Sequence, residues 1–256
     1  MSMKYLILVP FRLQSTRLRQ KVLQQINGKT LANTLCSRLR NFCLKNPDYD
    51  FYVATDSMKI KHSLSEFSQK IYLTSKNISS GSSRVFSLYQ KLLKSNKIRQ
   101  PRLVINLQGD MPFFDFSALK KLIRSFELDS NKTNYIGSLS CPWPEDLSPQ
   151  APENVKVVRD KNSNALYFSR SPIPWNTEKL HLHIGLYAYS PKVIRGIKKA
   201  IASKHPLTSE KLEQLSILYS GLKIRMTSIN SKTSIPYLGI DTKEDLLRLK
   251  KWLKIH

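Results

Sequence analysis

Short apolar runs alternate with amphipathic segments through the first half of the chain. Residues 5–10 are almost wholly apolar and end at a proline, and residues 103–107 form a second run that is apolar except for Asn106. Runs of this length predict strands that are buried on both faces, as in parallel sheets. Apolar residues recur at helical spacing over 30–44, 58–67 and 85–92, while short strands are predicted at 51–54 and 71–73. This alternation predicts an α/β fold with a mostly parallel central sheet.

The pattern changes after about residue 140. Four prolines between positions 142 and 152 predict a connecting loop, and runs at 155–158 and 165–168 flank a polar segment that predicts a β-hairpin. We further predict a strand over 183–189, helices from Pro191 and from near Ser209, and a final helix capped by Thr242–Asp245. Ser79–Ser83 is predicted to be a flexible loop. We expect a single domain over 1–256 in which residues 141–190, approximately, form an excursion from the first-half sheet.

The chain has a net charge of +24, from 42 basic and 18 acidic residues. Such an excess is typical of proteins that bind nucleic acids or anionic membranes. However, the basic residues are spread along the whole chain and no nucleic-acid-binding motif is found, so we expect an enzyme of anionic substrates. No apolar stretch is long enough to span a membrane, and the N-terminal run is too short for a signal peptide, which favours a cytoplasmic protein.

The three cysteines have neither the spacing of a disulfide framework nor that of a zinc site. We expect Cys36 and Cys43, which lie seven residues apart in a helical pattern, to pack as small hydrophobic side chains.

A basic loop follows the first predicted strand directly. Ligands of open α/β sheets bind beyond the carboxyl ends of the strands, where this loop lies. Guanidinium and ammonium groups match the oxygens of phosphate groups. The loop contains two hydroxyl side chains and four cations: Ser15, Thr16, Arg12, Arg17, Arg19 and Lys21. It therefore predicts a polyphosphate ligand, and with it a nucleotide substrate.

Two aspartates are candidates for binding a divalent metal ion. Asp110 follows a buried strand and a glycine, and Asp241 ends another short apolar run that also contains a glycine. Mg²⁺ prefers one or two carboxylates together with substrate phosphates, so two such strand ends side by side would suit it. The alternatives are that Asp110 only shapes a turn and that Asp241 only helps to cap the final helix.

Nine short blocks occur in the order in which one enzyme family carries them: RLQSTRL (12–18), VATD (53–56), NLQGD (106–110), NVKVV (154–158), ALYFSR (165–170), IPW (173–175), HIGLY (183–187), LEQL (212–215) and GIDT (239–242). On these blocks the chain resembles the 3-deoxy-manno-octulosonate (Kdo) cytidylyltransferases, or CMP-Kdo synthetases, from Leu6 to about Leu249. The resemblance implies a Rossmann-like nucleotide-diphospho-sugar transferase fold, with a hairpin-containing excursion that forms a homodimer contact. It also implies Mg²⁺-dependent transfer of CMP from CTP to the anomeric hydroxyl of Kdo for lipopolysaccharide synthesis, with release of pyrophosphate.

The resemblance also implies roles for individual residues. The triphosphate would be bound by Arg12, Ser15, Arg17 and Lys21, and the metal ion by Asp110 and Asp241. Positions near the cytidine are Ala54, Thr55, Asp56, Ser80, Gly81 and Arg84. The sugar acid would be surrounded by Gln108, Arg170, His183, Tyr187, Glu210 and Gln214, of which Arg170 or His183 would pair with its carboxylate.

The chain departs from the family pattern at several positions. Arg19 and Gln20 replace a proline and a small residue before Lys21, and three further substitutions are Ser83, Met111 and Ser216. Ser83 and Met111 replace acidic residues, and Ser216 replaces an arginine. These departures leave open an enzyme for 8-amino-Kdo or another nonulosonic acid. A relative that binds nucleotide without turnover, and a nucleic-acid-binding protein, are the non-enzymatic alternatives.

Overall fold

The apolar N-terminal run forms the centre of a parallel sheet. A computed structural model describes residues 3–14, 18–78, 80–203, 205–230, 235 and 237–254. The chain divides into two units, Met1–Asp115 with Ile235–His256, and Phe116–Ser234. The strands of the first unit are β1 (Tyr5–Phe11), β2 (Gln25–Ile26), β3 (Lys29–Thr30), β4 (Tyr49–Thr55), β5 (Ile71–Leu73) and β6 (Leu103–Asn106). Its helices are α1 (Leu31–Lys45), α2 (Met58–Ser63), α3 (Gly81–Lys94) and α7 (Lys243–Leu253).

Four of these strands lie in the order β6-β1-β4-β5, and every pair is parallel. β1 is buried at all seven positions, as its continuous apolar sequence predicted. The helices place apolar stripes on this sheet, and Leu31, Leu35 and Leu39 of α1 are completely buried. The carboxyl ends of β1, β4 and β6 therefore lie side by side, which is where parallel sheets bind ligands.

The second unit contains the remaining elements: α4 (Phe116–Leu128), β7 (Ile136–Pro142), β8 (Lys156–Arg159), β9 (Ala165–Ser169), β10 (His181–Tyr189), α5 (Ile194–Ala202), α6 (Glu213–Tyr219) and β11 (Arg225–Ser228). β11 pairs with β7 in parallel, and β7 pairs with β10 antiparallel across a bulge between Ile184 and Tyr187. The hairpin predicted at 155–168 is formed by β8 and β9. The predicted excursion at 141–190 lies within this unit, and the prediction of one domain over the whole chain stays a prediction.

Three sequence-based element predictions were wrong in detail. The helix predicted over 58–67 ends at Ser63, because Leu64 leaves helical geometry (φ −115°, ψ 31°), and a 3-10 segment follows over Ser65–Lys70. The loop predicted at 79–83 is largely the start of α3, whose first turn is capped by the Ser80 hydroxyl. Ser79 lies outside the described residues. Ser209 lies inside a 3-10 segment, and the helix that we placed there begins at Glu213.

Candidate active site

A cavity of about 290 Å³ opens at the carboxyl ends of β1 and β6. Gly109 allows the two strand ends to approach, because a Cβ there would lie 2.5 Å from the Pro10 carbonyl oxygen and 2.4 Å from the Phe11 ring. The cavity combines cationic, acidic and amide groups at the edge where parallel sheets bind ligands. Its lining residues are Pro10, Arg12, Gln14, Lys21, Val22, Gly81, Gln108, Gly109, Asp110 and Asp241.

Lys21 joins the two predicted metal ligands. Its Nζ lies 2.5 Å from Asp110 Oδ2 and 2.8 Å from Asp241 Oδ1, although Lys21 and Asp241 are 220 residues apart. The lysine side chain is 13% exposed, whereas those of the aspartates are 23% and 27% exposed. The structure thus brings together the three charged residues that the sequence singled out at these positions.

The charge of Lys21 is stabilised by this arrangement. Burial by itself lowers the pKa of the ammonium group, but the charges of Asp110 and Asp241 and their hydrogen bonds raise it by more. The net result is a raised pKa, so Lys21 is a fixed cation at neutral pH. Two carboxylates converge on one ammonium group, so a formal negative charge remains among the three side chains.

Asp241 reaches this site because the C-terminal segment returns to the first sheet. The Ile240 amide donates to the Asp110 carbonyl oxygen at 2.9 Å. Leu249 of α7 packs in a buried cluster with Leu18 and Ile26, on either side of the Lys21 turn. Apolar packing of the last helix therefore sets the distance between residues that are remote in the sequence.

Asp241 does not provide the cap of α7. Thr242 Oγ1 accepts a hydrogen bond from the Asp245 amide, and Asp245 Oδ2 accepts from the amides of Asp241 and Thr242. This capping box leaves the Asp241 carboxylate directed at Lys21. The alternative that Asp241 serves only as a helix cap is wrong.

Gly239 leaves the space that the Asp110 carboxylate occupies, a role that our sequence reading missed. A Cβ on Gly239 would lie 2.9 Å from Asp110 Cγ and Oδ1. Real Cβ contacts are not this short, so any larger residue would displace the carboxylate. The signal available in the sequence was the glycine two positions before Asp241 in the Gly-Ile-Asp run.

The basic loop before Lys21 is only partly described. Arg12 lines the cavity, as does the adjacent Gln14, which we had not singled out. Ser15 and Arg17, predicted to bind phosphate, lie outside the described residues. Gln20 adopts φ 49° and ψ 41°, a left-handed conformation that favours glycine. This conformation explains why a small residue suits the position before the lysine.

Arg84 and Asp56 form hydrogen bonds that connect the segments containing Leu13 and Thr74. Arg84 is completely buried, and its guanidinium contacts Asp56 Oδ2 at 3.0 Å and Thr74 Oγ1 at 2.5 Å. Asp56 Oδ1 accepts from the Leu13 amide at 3.1 Å. These contacts connect the predicted cytidine side of the site to the basic loop. We therefore expect Arg84 to position the nucleotide-binding loops, whereas a direct contact with nucleotide stays a prediction.

The other residues predicted near the cytidine lie at the carboxyl end of β4 and at the start of α3. Ala54 and Thr55 are buried at the end of β4, and the Thr55 carbonyl accepts from the Thr74 amide at 2.8 Å. Ser80 caps α3 and Gly81 lines the cavity. A helix N-terminus beside a cavity presents amide groups to an anion.

Most of the predicted sugar-binding residues lie in the second unit, while Gln108 lines the cavity of the first. Arg170 and Glu210 are in contact: the Arg170 amide donates to Glu210 Oε2 at 3.2 Å, and its Nε donates to the Glu210 carbonyl at 2.9 Å. Arg170 Nη1 donates to the Pro152 carbonyl at 2.7 Å. Lys156, completely buried, donates to the carbonyls of Arg170 and Ala151 at 2.7 and 3.1 Å.

His183, Tyr187 and Gln214 are buried in the same unit. His183 Nε2 lies 2.9 Å from Ser138 Oγ, and its ring packs against those of Phe168 and Tyr187. Burial lowers the pKa of His183 to about 3, so its imidazole is neutral at physiological pH. This neutral imidazole shares its hydrogen bond with Ser138, and the predicted pairing of His183 with a sugar carboxylate stays a prediction. Burial also raises the pKa of Tyr187, which keeps its hydroxyl protonated.

The departures from the family pattern have local explanations in the fold. Met111 is buried at 2% exposure, outside the set of residues that line the cavity. Ser83 takes part in the cap of α3, where its hydroxyl lies 3.1 Å from Ser80 Oγ. Ser216 is buried and lies 2.7 Å from His205 Nε2.

The acidic residues of the cavity suit a metal ion that also binds substrate. Among the described residues, no group of three or more His, Cys, Asp or Glu side chains forms a closed metal site. Mg²⁺ is commonly bound by one or two protein carboxylates, and substrate phosphates complete its coordination. Their common contact with the Lys21 ammonium shows that both oxygens can reach one positive centre.

Residues 6–224 match the model of the cytidylyltransferase family. The chain belongs to this family. It is 35% identical to the 3-deoxy-manno-octulosonate cytidylyltransferase of Psychromonas ingrahamii, over 96% of this chain and 98% of the relative. It is 33% identical to the 8-amino-3,8-dideoxy-manno-octulosonate cytidylyltransferase of Shewanella pealeana, over 95% and 96% of the two chains.

A solved structure of CMP:2-keto-3-deoxy-manno-octonic acid synthetase complexed with CTP is similar in fold, with a TM-score of 0.80 and 28% identity. The match covers 98% of this chain and 99% of that protein. It confirms the predicted α/β fold and the resemblance on which the site was predicted. Within the described part of this cytidylyltransferase, no helix is both long and apolar enough to cross a membrane.

Proposed function

We propose that this cytidylyltransferase transfers CMP from CTP to the anomeric hydroxyl of Kdo or a Kdo-like sugar acid, with release of pyrophosphate. The observation that carries the proposal is the convergence of Lys21, Asp110 and Asp241 at the carboxyl end of the parallel sheet. The relatives named for Kdo and 8-amino-Kdo activation, aligned along nearly the whole chain, support this substrate class.

The residues of the cavity suit nucleotidyl transfer. The sugar hydroxyl would form a bond to the α-phosphorus of CTP, while the bond from that phosphorus to pyrophosphate breaks. Such reactions depend mainly on positioning and on neutralising phosphate charge. Arg12 and Lys21 lie where they would neutralise the triphosphate, and the start of α3 adds backbone amides.

Asp110 and Asp241 would hold Mg²⁺. When bound, Mg²⁺ would act as a Lewis acid on phosphoryl oxygens and lower the pKa of a coordinated hydroxyl. The packing of α7, together with the room that Gly239 leaves for the Asp110 carboxylate, would place this ion relative to the cationic loop.

The test is pyrophosphate release by the purified protein with CTP, Mg²⁺ and Kdo. We expect Asp110→Asn and Asp241→Asn each to reduce the rate by about 10²–10³-fold or more, the usual cost of losing one preorganised electrostatic contact. The exposed Asp48→Asn in the same unit serves as the control and should have no effect. Wild-type rates in either cavity variant would remove that aspartate from the proposed site.

The 8-amino form of Kdo is the second candidate acceptor, supported by the Shewanella relative. A panel of Kdo, 8-amino-Kdo and other nonulosonic acids at equal concentrations would rank acceptors by kcat/KM. A preference for 8-amino-Kdo would reassign the acceptor and leave the nucleotide chemistry unchanged. CTP binding without turnover on every member of the panel would contradict the enzymatic proposal.

We also propose a homodimer that uses the excursion at 141–190. Trp175 is 94% exposed and Leu166 of β9 is 58% exposed, and large apolar side chains at such exposure are frequent at subunit contacts. Light scattering should give twice the chain mass, and Trp175→Ser together with Leu166→Ser should shift the protein toward monomer. A monomeric wild type would contradict this proposal.

A further inference from the structure

Lys21 holds the same two carboxylate oxygens that the proposed function assigns to a divalent metal ion. Both contacts are short, 2.5 Å to Asp110 Oδ2 and 2.8 Å to Asp241 Oδ1. An ammonium group and a divalent ion cannot both occupy the point where these oxygens converge, because each needs direct contact with them. Metal binding at this point therefore requires Lys21 to leave.

A displaced Lys21 has another partner available. Its side chain lines the same cavity as Arg12 and Gly81, where the triphosphate would bind. A lysine ammonium is a compact cation on a flexible four-carbon stem, which can move between neighbouring anions without motion of the backbone. Phosphate oxygens would accept the hydrogen bonds that the carboxylates give up.

We propose that Lys21 exchanges its partners, from the Asp110 and Asp241 carboxylates to the nucleotide phosphates, and thereby makes metal and nucleotide bind cooperatively. The inference rests on the proposed function for the location of the metal ion. Metal alone must displace Lys21 into a cavity without a counter-anion, whereas metal together with nucleotide gives the lysine a new anionic partner. Coupling between two sites is typically about 5–150-fold in affinity.

The first test measures Mn²⁺ binding to the nucleotide-free protein by electron paramagnetic resonance of the free ion. Lys21→Met removes the competing cation, and we expect it to bind Mn²⁺ about tenfold more tightly than wild type, within the usual range of coupling. Lys21→Arg keeps the charge and should stay near the wild-type affinity. Lys59→Met is the matched control: the exposed Lys59 donates to Gln20 Oε1 at 2.7 Å and loses the same charge from the same region.

Equal tightening in Lys59→Met and Lys21→Met would overturn the exchange, since it would reduce the effect to overall charge. Unchanged affinity in Lys21→Met would overturn it as well. Asp110→Asn in the Lys21→Met background separates this failure from failure of the proposed function. If that double variant keeps the Mn²⁺ affinity, the metal site lies elsewhere. If the double variant loses Mn²⁺ affinity while Lys21→Met alone binds Mn²⁺ no more tightly than wild type, the metal site is correct and only the exchange is wrong.

The second test uses the wild-type protein and needs no variant to fold. Lysine acylation followed by peptide mass spectrometry reports how accessible the Lys21 ammonium is. We expect slow labelling of the protein alone, faster labelling with Mn²⁺, and protection again when CTP is added without acceptor. Labelling of Lys21 that does not respond to Mn²⁺ would contradict the exchange, with exposed Lys59 as the internal reference.

Discussion

Two enclosed lysines, one in each unit, are held by different kinds of partner. Lys21 contacts two carboxylates, and these raise its pKa although burial lowers it. Lys156 donates to two backbone carbonyls and lies 5.2 Å from the Trp143 ring centre, and burial lowers its pKa. His183 in the second unit likewise has a neutral hydrogen-bond partner, Ser138. Lys21 at the cavity is thus paired with charged groups, whereas Lys156 and His183 in the second unit are paired with neutral polar groups.

This difference indicates what each lysine can do. Ionic partners can be replaced by other ions of the same sign, so the cavity is suited to exchange with phosphate and metal. Backbone carbonyls cannot move away without distorting the fold, so Lys156 fastens the start of β8 to the end of β9. We therefore expect the same residue type to have a chemical role in one place and a structural role in the other.

The largest expected effect comes from replacing each of the two lysines by methionine and comparing the losses of activity and of stability. Lys21→Met should reduce CMP transfer by about 10²–10³-fold, the scale of one lost electrostatic contact in a transition state. Lys156→Met should instead lower the free energy of unfolding by about 2 kcal/mol, because the carbonyls of Ala151 and Arg170 lose their donor. Urea unfolding and pyrophosphate release on both variants check this. A Lys156→Met protein of wild-type stability would break the comparison.

The neutral surroundings of His183 predict acid sensitivity. Its folded-state pKa of about 3 lies below the unfolded value near 6.5, so the unfolded chain binds the proton first as the pH falls. The contribution of neutral His183 to the free energy of unfolding is fully present above pH 6.5. It is lost as the pH falls from 6.5 to 3, by up to about 1.4 kcal/mol per pH unit. Unfolding of His183→Gln should depend less steeply on pH in this window. The exposed His62→Gln is the control and should retain the wild-type slope.

Gly239→Ala tests the charge pairing of the cavity without changing any charge. Its Cβ would meet Asp110 Cγ at 2.9 Å, so the carboxylate must leave its present position, which disturbs its contact with Lys21. We expect a loss of about tenfold in CMP transfer, since misplacing a catalytic group by a fraction of an ångström is costly. Gly196→Ala, whose Cβ would lie 3.7 Å from the nearest atom, provides the control. Full activity of Gly239→Ala would show that the position of Asp110 is not critical.

The smallest expected effect concerns the turn that presents Lys21. Gln20 has φ 49°, and Gln20→Gly should stabilise the protein by about 0.5–1 kcal/mol by removing left-handed strain. Asn27→Gly is the matched control, because Asn27 has φ 48° but asparagine tolerates this region better. Thermal unfolding should rank Gln20→Gly above Asn27→Gly. The opposite order would indicate that the Gln20 contact with Lys59 outweighs the strain.

The strands and helices of the first unit could largely be predicted from its sequence. β1, β6 and α1 are continuous apolar or strictly periodic segments, and such patterns depend little on tertiary context. The second unit was harder: α4, β7 and β11 were not predicted. β2 and β3 were also missed, although Asn27-Gly28 between them is a strong hairpin signal. The start of α3 was taken for a loop because serines that cap a helix are also typical of loops.

The sequence by itself determined which residues we propose for the chemistry: a basic loop after β1, and Asp110 and Asp241 each at the end of an apolar run. Only the tertiary structure decided that one lysine joins both aspartates, and that Gly239 leaves room for the Asp110 carboxylate. The physical reason is that these contacts depend on how Leu249 of α7 packs with Leu18, Ile26 and Leu31, which flank the Lys21 turn and begin α1. Apolar packing is not directional, so no local pattern could reveal which charges it would bring together.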